Sequence, residues 1–308
     1  MNGDITLLTS DQLEYTKKAF GRSRQETIAK KMTIDLVFIT YNRLEYTKLS
    51  LASVLADPTE EFSLTIWDNA STDGTVEFIK QEVNDPRIAD IVFSRENIGQ
   101  MAAVNEIWGK SKADLLGKLD NDCLMIPGWT RTLAQAHKDI PKLGVVACWH
   151  YLPEEFDYER AKHKIQTFGR HKIFRHPWTG GTGLLLKRDT FERFGPIQWK
   201  STTKYWIKIA SAGYINGYYF PLIYIEHMDD LRSKHCLLHQ MSFDEARKYN
   251  PAYQDGRVRN RKQAEWNRER YLEELFTDPY DPKYYMGWRS IPRRTRAKIQ
   301  RILKNLPF

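Results

Sequence analysis

Short apolar runs alternate with longer amphipathic segments between residues 34 and 120 of the chain. The first run, Ile34–Thr40, is rich in β-branched residues and has the length of a strand, and residues 44–55 then carry apolar side chains at helical spacing. The alternation continues with strands predicted over 63–67, 88–93 and 113–119 and with helices over 76–83 and 97–108. Strands that alternate with helices of about ten residues predict an α/β fold with a Rossmann-like, mostly parallel sheet flanked by helices.

The pattern changes at both ends of the chain. Residues 1–31 are polar with scattered apolar positions, which predicts a helical N-terminal extension. Residues 229–308 are basic and rich in aromatic side chains, and the spacing of Trp266, Tyr271 and Leu275 predicts a long helix within a helical C-terminal extension. The α/β domain is then expected over residues 32–228.

The composition is that of a globular protein from a reducing compartment. The 308 residues are 41% hydrophobic, which is enough to build one large domain with appendages. The chain has no apolar run of about 18 residues and no signal-peptide pattern at its N-terminus, so we expect no membrane span. Its cysteines, Cys123, Cys148 and Cys236, are few and odd in number, which favours free thiols and a cytoplasmic location.

The positive charge is concentrated in the C-terminal extension. The formal net charge is +8, and residues 229–308 alone carry 18 Lys/Arg against 11 Asp/Glu. Residues 293–304 hold six basic residues and no acid, with Ile299, Ile302 and Leu303 on one side of a predicted helix. Such a helix is typical of peripheral contact with an anionic membrane surface, and arginine interleaved with aromatic residues also suits DNA. A helix packed back on its own domain is the third interpretation.

Two carboxylates follow the strand predicted over 113–119. Asp120 and Asp122 are separated by one residue, so in an extended chain their side chains point the same way. Burying both is costly unless they bind a cation, and hard oxygen ligands suit Mn²⁺ or Mg²⁺. An acidic surface turn is the alternative. Tyr41, Asp68 and Asn97 follow other predicted strands, and ligands of parallel sheets bind beyond the carboxyl ends of the strands.

Five short motifs occur in a characteristic order and spacing. They are Thr40-Tyr41-Asn42-Arg43, Asp68-Asn69-Ala70-Ser71-Thr72-Asp73-Gly74-Thr75, Glu96-Asn97-Ile98-Gly99, Leu119-Asp120-Asn121-Asp122 and Gly180-Gly181-Thr182-Gly183. Together they resemble the nucleotide-sugar glycosyltransferases of family 2, which have the GT-A fold. The resemblance covers roughly residues 32–228 and implies that a sugar is transferred from a nucleotide-diphosphate donor.

The resemblance implies roles for three carboxylates and a histidine. Asp68 would recognise the nucleotide, Asp122 would ligate a Mn²⁺ or Mg²⁺ ion, and Asp120 would approach the ribose or the same ion. His227 ends an apolar run and would complete the metal shell. The alternative for His227 is a partly buried side chain bonded to the backbone.

Further donor-binding candidates lie in the same motifs. Thr40 and Tyr41 either pack at the strand end or contact the nucleotide, with the tyrosine ring stacked on the base. Arg43 and Arg95 are candidates for the diphosphate, although arginines are common at surfaces. Asn97 and Gly99 begin a helix whose free N–H groups suit an anion, and Gly181 lies where the backbone is expected to approach the substrate closely.

The chain departs from the family pattern at the expected catalytic base. Many members carry Glu-Asp before a helix that ends in Ala-Gly-Tyr, but the stretch ahead of Ala212-Gly213-Tyr214 reads Lys200-Ser201-Thr202-Thr203-Lys204. An inverting transfer needs a group that takes the proton of the acceptor hydroxyl. Asp229 and Asp230 are the nearest acidic substitutes in the sequence.

The sequence therefore predicts a metal-dependent, inverting glycosyltransferase with a UDP-sugar as the favoured donor and a glycan or glycolipid as acceptor. The first alternative is transfer to hydroxymethylated bases of DNA, which a basic C-terminal extension would favour. The second is a non-catalytic sugar-nucleotide-binding or scaffold protein, which the missing acidic pair would favour.

Overall fold

The computed structural model describes residues 31–198, 202–254, 256 and 258–304. Apart from Lys31, the N-terminal extension predicted over residues 1–31 lies outside the described residues, as do Lys200 and Ser201. The three predicted segment boundaries therefore stay predictions.

The strands and helices alternate through the first half of the chain and become irregular after it. The strands are β1 Ile34–Thr40, β2 Ser63–Asp68, β3 Ile88–Phe93, β4 Leu115–Asp120, β5 Cys123–Leu124, β6 Leu143–Ala147, β7 Ile165–Phe168, β8 His171–Arg175, β9 Leu184–Lys187, β10 Ile215–Phe220 and β11 Glu226–His227. The helices are α1 Leu44–Leu55, α2 Thr75–Glu82, α3 Gln100–Lys110, α4 Trp129–Asp139, α5 Tyr158–Ala161, α6 Arg188–Phe194, α7 Thr202–Ser211, α8 Phe243–Ala246, α9 Pro251–Gln254, α10 Arg261–Thr277 and α11 Ile291–Leu303. Short 3₁₀ turns cover 153–155, 162–164, 237–239, 282–285 and 287–290.

Nine of these strands form one mixed sheet in the order β3-β2-β1-β4-β9-β6-β10-β8-β7. The first four strands in this order pair in parallel, as the alternation of strands and helices predicts. Strand β9 runs antiparallel to both of its neighbours, β4 and β6. The predicted α/β class is confirmed, and the parallel pairing is concentrated in the half of the sheet that carries the sequence motifs.

The alternation of side chains along the strands divides the core between the two faces of the sheet. Leu36 and Phe38 of β1 pack on one face with Trp129 of α4, whereas Val37 and Ile39 pack on the other with Trp108 of α3. Strands buried on both faces have nearly continuous apolar sequences, which is why the sequence alone predicts β1.

The helix predicted over 97–108 begins later, at Gln100. Asn97 Oδ1 accepts a hydrogen bond from Gly99 N at 2.9 Å, and Gly99 has φ +83°. This turn uses a backbone conformation that glycine adopts without strain. The residues before Gln100 therefore form a loop at the end of the sheet.

The C-terminal extension is helical, as predicted, and packs against the sheet. Leu275 and Phe276 of α10 are buried in the same cluster as Val37 and Trp108. Within the described residues, the helices lack the combination of length and apolar character that crossing a bilayer requires.

Candidate active site

The carboxyl ends of β1, β2 and β4 lie side by side. In the register of the sheet, Thr40 is paired with Asp68 and Ile39 with Asp120. The parallel pairing therefore brings the first, second and fourth sequence motifs to one edge of the sheet.

Asp120 is held by a buried lysine from its own strand. Lys118 Nζ lies 2.5 Å from Asp120 Oδ1 and donates to Gly181 O at 2.8 Å, and Thr182 Oγ1 accepts from Asp120 N at 3.0 Å. Burial raises the pKa of Asp120, which Lys118 opposes. The lysine thus fixes the first carboxylate against the Gly180–Gly183 segment.

Asp122 and His227 are brought together by a two-stranded antiparallel ladder. His227 of β11 pairs with Cys123 of β5, and His227 Nε2 lies 3.9 Å from Asp122 Oδ1. Oxygen, nitrogen and sulfur atoms of Asp122, His227 and Cys123 lie within 4.8 Å of one another. Burial acts to raise the pKa of Asp122, but His227 and Arg43 outweigh it and lower that pKa to about 2.

The donor set fits a hard divalent cation. Asp122 offers a carboxylate that is ionised at neutral pH and His227 an imidazole nitrogen, both suitable for Mn²⁺. Burial raises the pKa of the Cys123 thiol well above its usual range, so the thiol is neutral and a poor ligand for such an ion. Asp120 ends β4, two residues before Asp122.

Arg43 connects the second carboxylate to the C-terminal part of the chain. Its guanidinium donates to Asn121 Oδ1 at 2.7 Å, to Asp122 Oδ2 at 3.2 Å and to Asp229 Oδ2 at 2.6 Å. Burial acts to lower the pKa of Arg43, but Asp229 and Asp122 outweigh it, so this pKa is raised above its usual value. Arg43 is thus engaged with protein carboxylates in this structure, and its predicted contact with a diphosphate stays a prediction.

Thr40 points into the protein at the end of β1. Its Oγ1 lies 2.8 Å from Thr47 Oγ1 and accepts from Asn121 Nδ2 at 3.1 Å. All three side chains are buried. The hydroxyl therefore stabilises the turn around Asn121, and a direct contact of Thr40 with the donor stays a prediction.

Asp68 is fully buried yet only partly satisfied. Its Oδ2 accepts from Ser71 N at 2.9 Å, while Oδ1 is buried and has no partner among the described residues. Burial raises the pKa of this carboxyl. An orphaned buried oxygen at a strand end is costly, which is consistent with a ligand group that binds there.

Asp73 accepts backbone hydrogen bonds from the first residues of two helices, α1 and α2. Its Oδ2 accepts from Leu44 N, the first residue of α1, at 2.9 Å, and its Oδ1 accepts from the Thr75 hydroxyl at 2.7 Å. The carboxylate therefore joins the β2 loop to the loop after β1.

The remaining donor-binding candidates line the outer part of this edge. Tyr41 and Gly99 are partly exposed, and Arg95 and Asn97 are exposed. Gly181 offers its carbonyl to Lys118, and a side chain at Gly180 would collide with the ring of His150, 2.6 Å from its Nδ1. The close approach at Gly180 is therefore to a side chain of the protein itself, and the predicted approach of Gly181 to the substrate stays a prediction.

Asp229 and Asp230 line a cavity of about 240 Å³ beside His227. Arg43 and Asn250 both donate to Oδ2 of Asp229, whose pKa burial raises. By contrast, Arg232 and Arg268 together engage both oxygens of Asp230. The other residues of the cavity are His150, Tyr151, Leu231, Ala264, Arg268 and Tyr271.

Several residues of this site were missed from the sequence. Arg268 and Tyr271 lie on α10, and only the packing of that helix brings them to the cavity. His150 follows β6 and has a buried Nδ1 without a partner among the described residues. Lys118 had a visible signal, because a lysine inside an apolar strand needs a buried anionic partner. Trp178, which lies just before the glycine-rich segment, is buried and contacts Tyr271 edge-on.

Comparison with known proteins agrees with this geometry. The sequence model of the family described as Glycosyl transferase family 2 matches residues 35–196. Among solved structures, the mannosyltransferase PcManGT from Pyrobaculum calidifontis, determined in complex with GDP-Man and Mn²⁺, aligns with a TM-score of 0.55 and 16% identity over 94% of this chain and 87% of its own. No curated protein gives a significant match. More than half of the chain matches the family model and the fold is that of a GT-A enzyme, so the chain belongs to glycosyl transferase family 2.

Proposed function

We propose that the protein is a metal-dependent, inverting glycosyltransferase that uses a nucleotide-diphosphate sugar. The observation that carries this proposal is the convergence of Asp68, Asp120, Asp122 and His227 at one edge of the sheet. The similar mannosyltransferase was solved with GDP-Man and Mn²⁺, which supports a sugar-nucleotide donor and a divalent ion here.

Asp122 and His227 are the proposed ligands of the ion, with Asp120 beside them. When bound, Mn²⁺ or Mg²⁺ would neutralise the charge that develops on the leaving nucleotide diphosphate. We propose that the nucleoside donates a hydrogen bond to the orphaned oxygen of Asp68, which is buried without a partner among the described residues. We propose that four further residues complete the donor site, with uridine favoured as the nucleoside: Tyr41, Arg95, Asn97 and Gly99.

Asp229 is the stronger of the two candidates for the base that takes the acceptor proton. Its contacts with Arg43 and Asn250 converge on Oδ2, whereas both oxygens of Asp230 are engaged by arginines. The arginine N–H groups already occupy both oxygens of Asp230 and compete there with an acceptor hydroxyl. We therefore place the acceptor hydroxyl in the cavity next to Asp229.

A glycan or glycolipid acceptor is favoured over DNA. The DNA alternative depended on the basic residues of the C-terminal extension. Several of these residues are used inside the protein, since Arg268 pairs with Asp230 and both Arg270 and Arg293 pair with Glu274. The surface charge offered to a phosphate backbone is correspondingly smaller.

Replacement of Asp122 tests the proposal. With Mn²⁺ present, we expect the wild type to hydrolyse a UDP- or GDP-sugar slowly and Asp122→Ala to lose this activity by about 100-fold or more, because it lacks a metal ligand. Asp90→Ala, the same change at an exposed position of β3, is the matched control and should keep full activity. Calorimetric titration with UDP and with GDP shows which nucleotide the protein prefers.

The scaffold alternative gives a different result in the same experiment. Nucleotide binding that is equal in wild type and Asp122→Ala, with no turnover with or without Mn²⁺, would reject the enzyme. Turnover that persists when Mn²⁺ is chelated would reject its metal dependence.

A further inference from the structure

Helix α11 lies on the protein with its polar side inward. Arg293 pairs with Glu274 of α10. Lys304, which follows the last residue of α11, pairs with Glu269 of α10. Arg293, Ala297 and Gln300 line the groove between the two helices, and Arg296 and Leu303 border it as well. An amphipathic helix of a globular protein ordinarily buries its apolar side, so this orientation is the reverse of the usual one.

The apolar side of α11 faces solvent. Ile291, Ile299, Ile302 and Leu303 are 55%, 50%, 52% and 76% exposed. At 100° per residue they fall within one third of the helix circumference, and we call these four residues the outer face of α11. Trp288 and Met286, in the turn before the helix, are 75% and 47% exposed and extend the apolar surface.

Basic residues flank the outer face. Arg294 and Lys298 are exposed and lie along one of its edges at i and i+4, and Arg296 lies along the other. Residues 291–304 contain no acidic residue. An exposed apolar ridge with a cationic border is complementary to a surface that is apolar inside and anionic at its rim.

We propose that the outer face of α11, with Trp288 and Met286, docks on an anionic phospholipid bilayer. The helix, about 20 Å long, lies in the plane of the interface with its isoleucine and leucine side chains among the acyl chains and its cations at the headgroups. Trp288 is suited to the boundary between the two layers.

The exposed apolar residues favour lipid over nucleic acid as the partner. A phosphate backbone is bound by donors and cations, and it offers nothing that shields Ile299, Ile302 or Leu303 from water. A bilayer removes these side chains from water and neutralises Arg294 and Lys298 in the same step. Of these two partners, lipid is therefore the one that accounts for the exposed apolar residues of α11.

Sedimentation with vesicles tests the proposal. At 100 mM salt (on the order of the physiological value), we expect the protein to bind phosphatidylcholine–phosphatidylglycerol vesicles and to bind pure phosphatidylcholine at least about tenfold more weakly. Ile299→Glu with Leu303→Glu should lower binding to the anionic vesicles by about tenfold or more, as should Arg294→Glu with Lys298→Glu.

Matched controls separate the helix from net charge and from exposed apolar residues in general. Lys112→Glu with Lys138→Glu changes the net charge equally at exposed positions elsewhere, and Leu49→Glu replaces an exposed leucine of α1. Both should bind as the wild type does. Brominated acyl chains should quench part of the tryptophan emission, and Trp288→Phe should lose that part while it still binds.

Three outcomes would overturn the proposal. They are no binding of the wild type to anionic vesicles at low salt, equal loss in the control variants, and duplex-DNA binding that persists in Ile299→Glu/Leu303→Glu when vesicle binding is absent throughout. None of these measurements uses a sugar donor, so their failure is distinguishable from failure of the proposed catalytic function.

Discussion

Arg43 is the residue on which the acidic side chains of the site depend. It is buried, has φ +61° and bridges Asp122 to Asp229 while it also donates to Asn121. The three acceptors come from two loops separated by more than a hundred residues. A planar guanidinium can hold them in one geometry, which the single ammonium of a lysine cannot.

Replacement of Arg43 should destabilise the protein strongly. Arg43→Met leaves two largely buried carboxylates without their cation, and we expect the free energy of unfolding to fall by about 3–5 kcal/mol at pH 7. Arg43→Lys should fall between this variant and the wild type. Urea denaturation measures the change, and Arg131→Met, at an exposed position, should stay within about 0.5 kcal/mol. A loss below about 1 kcal/mol in Arg43→Met would contradict this role.

At the scale of single elements, β4 shows both the reach and the limit of sequence patterns. Its apolar run and its bounds near Asp120 were predictable, because a strand buried on both faces leaves few polar positions. The sequence pattern gave no reason for the glycine inside this strand, Gly117. A Cβ at Gly117 would lie 2.4 Å from Leu36 Cδ2 and 2.8 Å from Leu185 Cδ2, and both contacts come from neighbouring strands. The need for glycine is therefore a property of the sheet.

Two Gly→Ala substitutions should have opposite effects. Gly117→Ala overpacks the space between β1 and β9 and should lower the free energy of unfolding by about 1–3 kcal/mol. Gly109→Ala, in α3 with open space around the new Cβ, should raise it by about 0.4–1 kcal/mol. Thermal and urea unfolding of both variants check the pair. Equal effects in the two would contradict the close approach at Gly117.

At the scale of the whole molecule, the C-terminal extension is anchored by buried polar contacts. Lys164 Nζ donates to Leu275 O and to Asp278 O, and burial lowers the pKa of this lysine to about 8. Tyr285 donates to Asp278 Oδ2 at 2.9 Å and lies 3.0 Å from His176 Nε2. These contacts fix α10, whose side chains Arg268 and Tyr271 complete the cavity.

Loss of the Tyr285 hydroxyl should loosen this attachment. Tyr285→Phe leaves Asp278 and His176 buried with fewer partners, and we expect the free energy of unfolding to fall by about 1–3 kcal/mol. Limited proteolysis should also cleave the C-terminal extension faster. Tyr158→Phe, at an exposed tyrosine, is the control and should match the wild type. Unchanged stability and cleavage in Tyr285→Phe would show that apolar packing alone holds the extension.

Local sequence by itself determined the first half of the fold and the edge at which the site lies. Apolar period and strand length depend on neighbours in the chain, so β1 to β4 and the residues that end them were predictable from the pattern. The membership in family 2 was likewise predictable from the order of the motifs, and the family match confirms it.

Only the tertiary structure decided which groups face each other at that edge. The two-residue ladder of β5 and β11 is too short to leave a sequence pattern, yet it places His227 beside Asp122. The buried partners of Arg43 and Lys118, and the orientation of α11 with its apolar side outward, depend on contacts between distant segments. Such contacts follow from how whole elements pack, and no local spacing of residues encodes them.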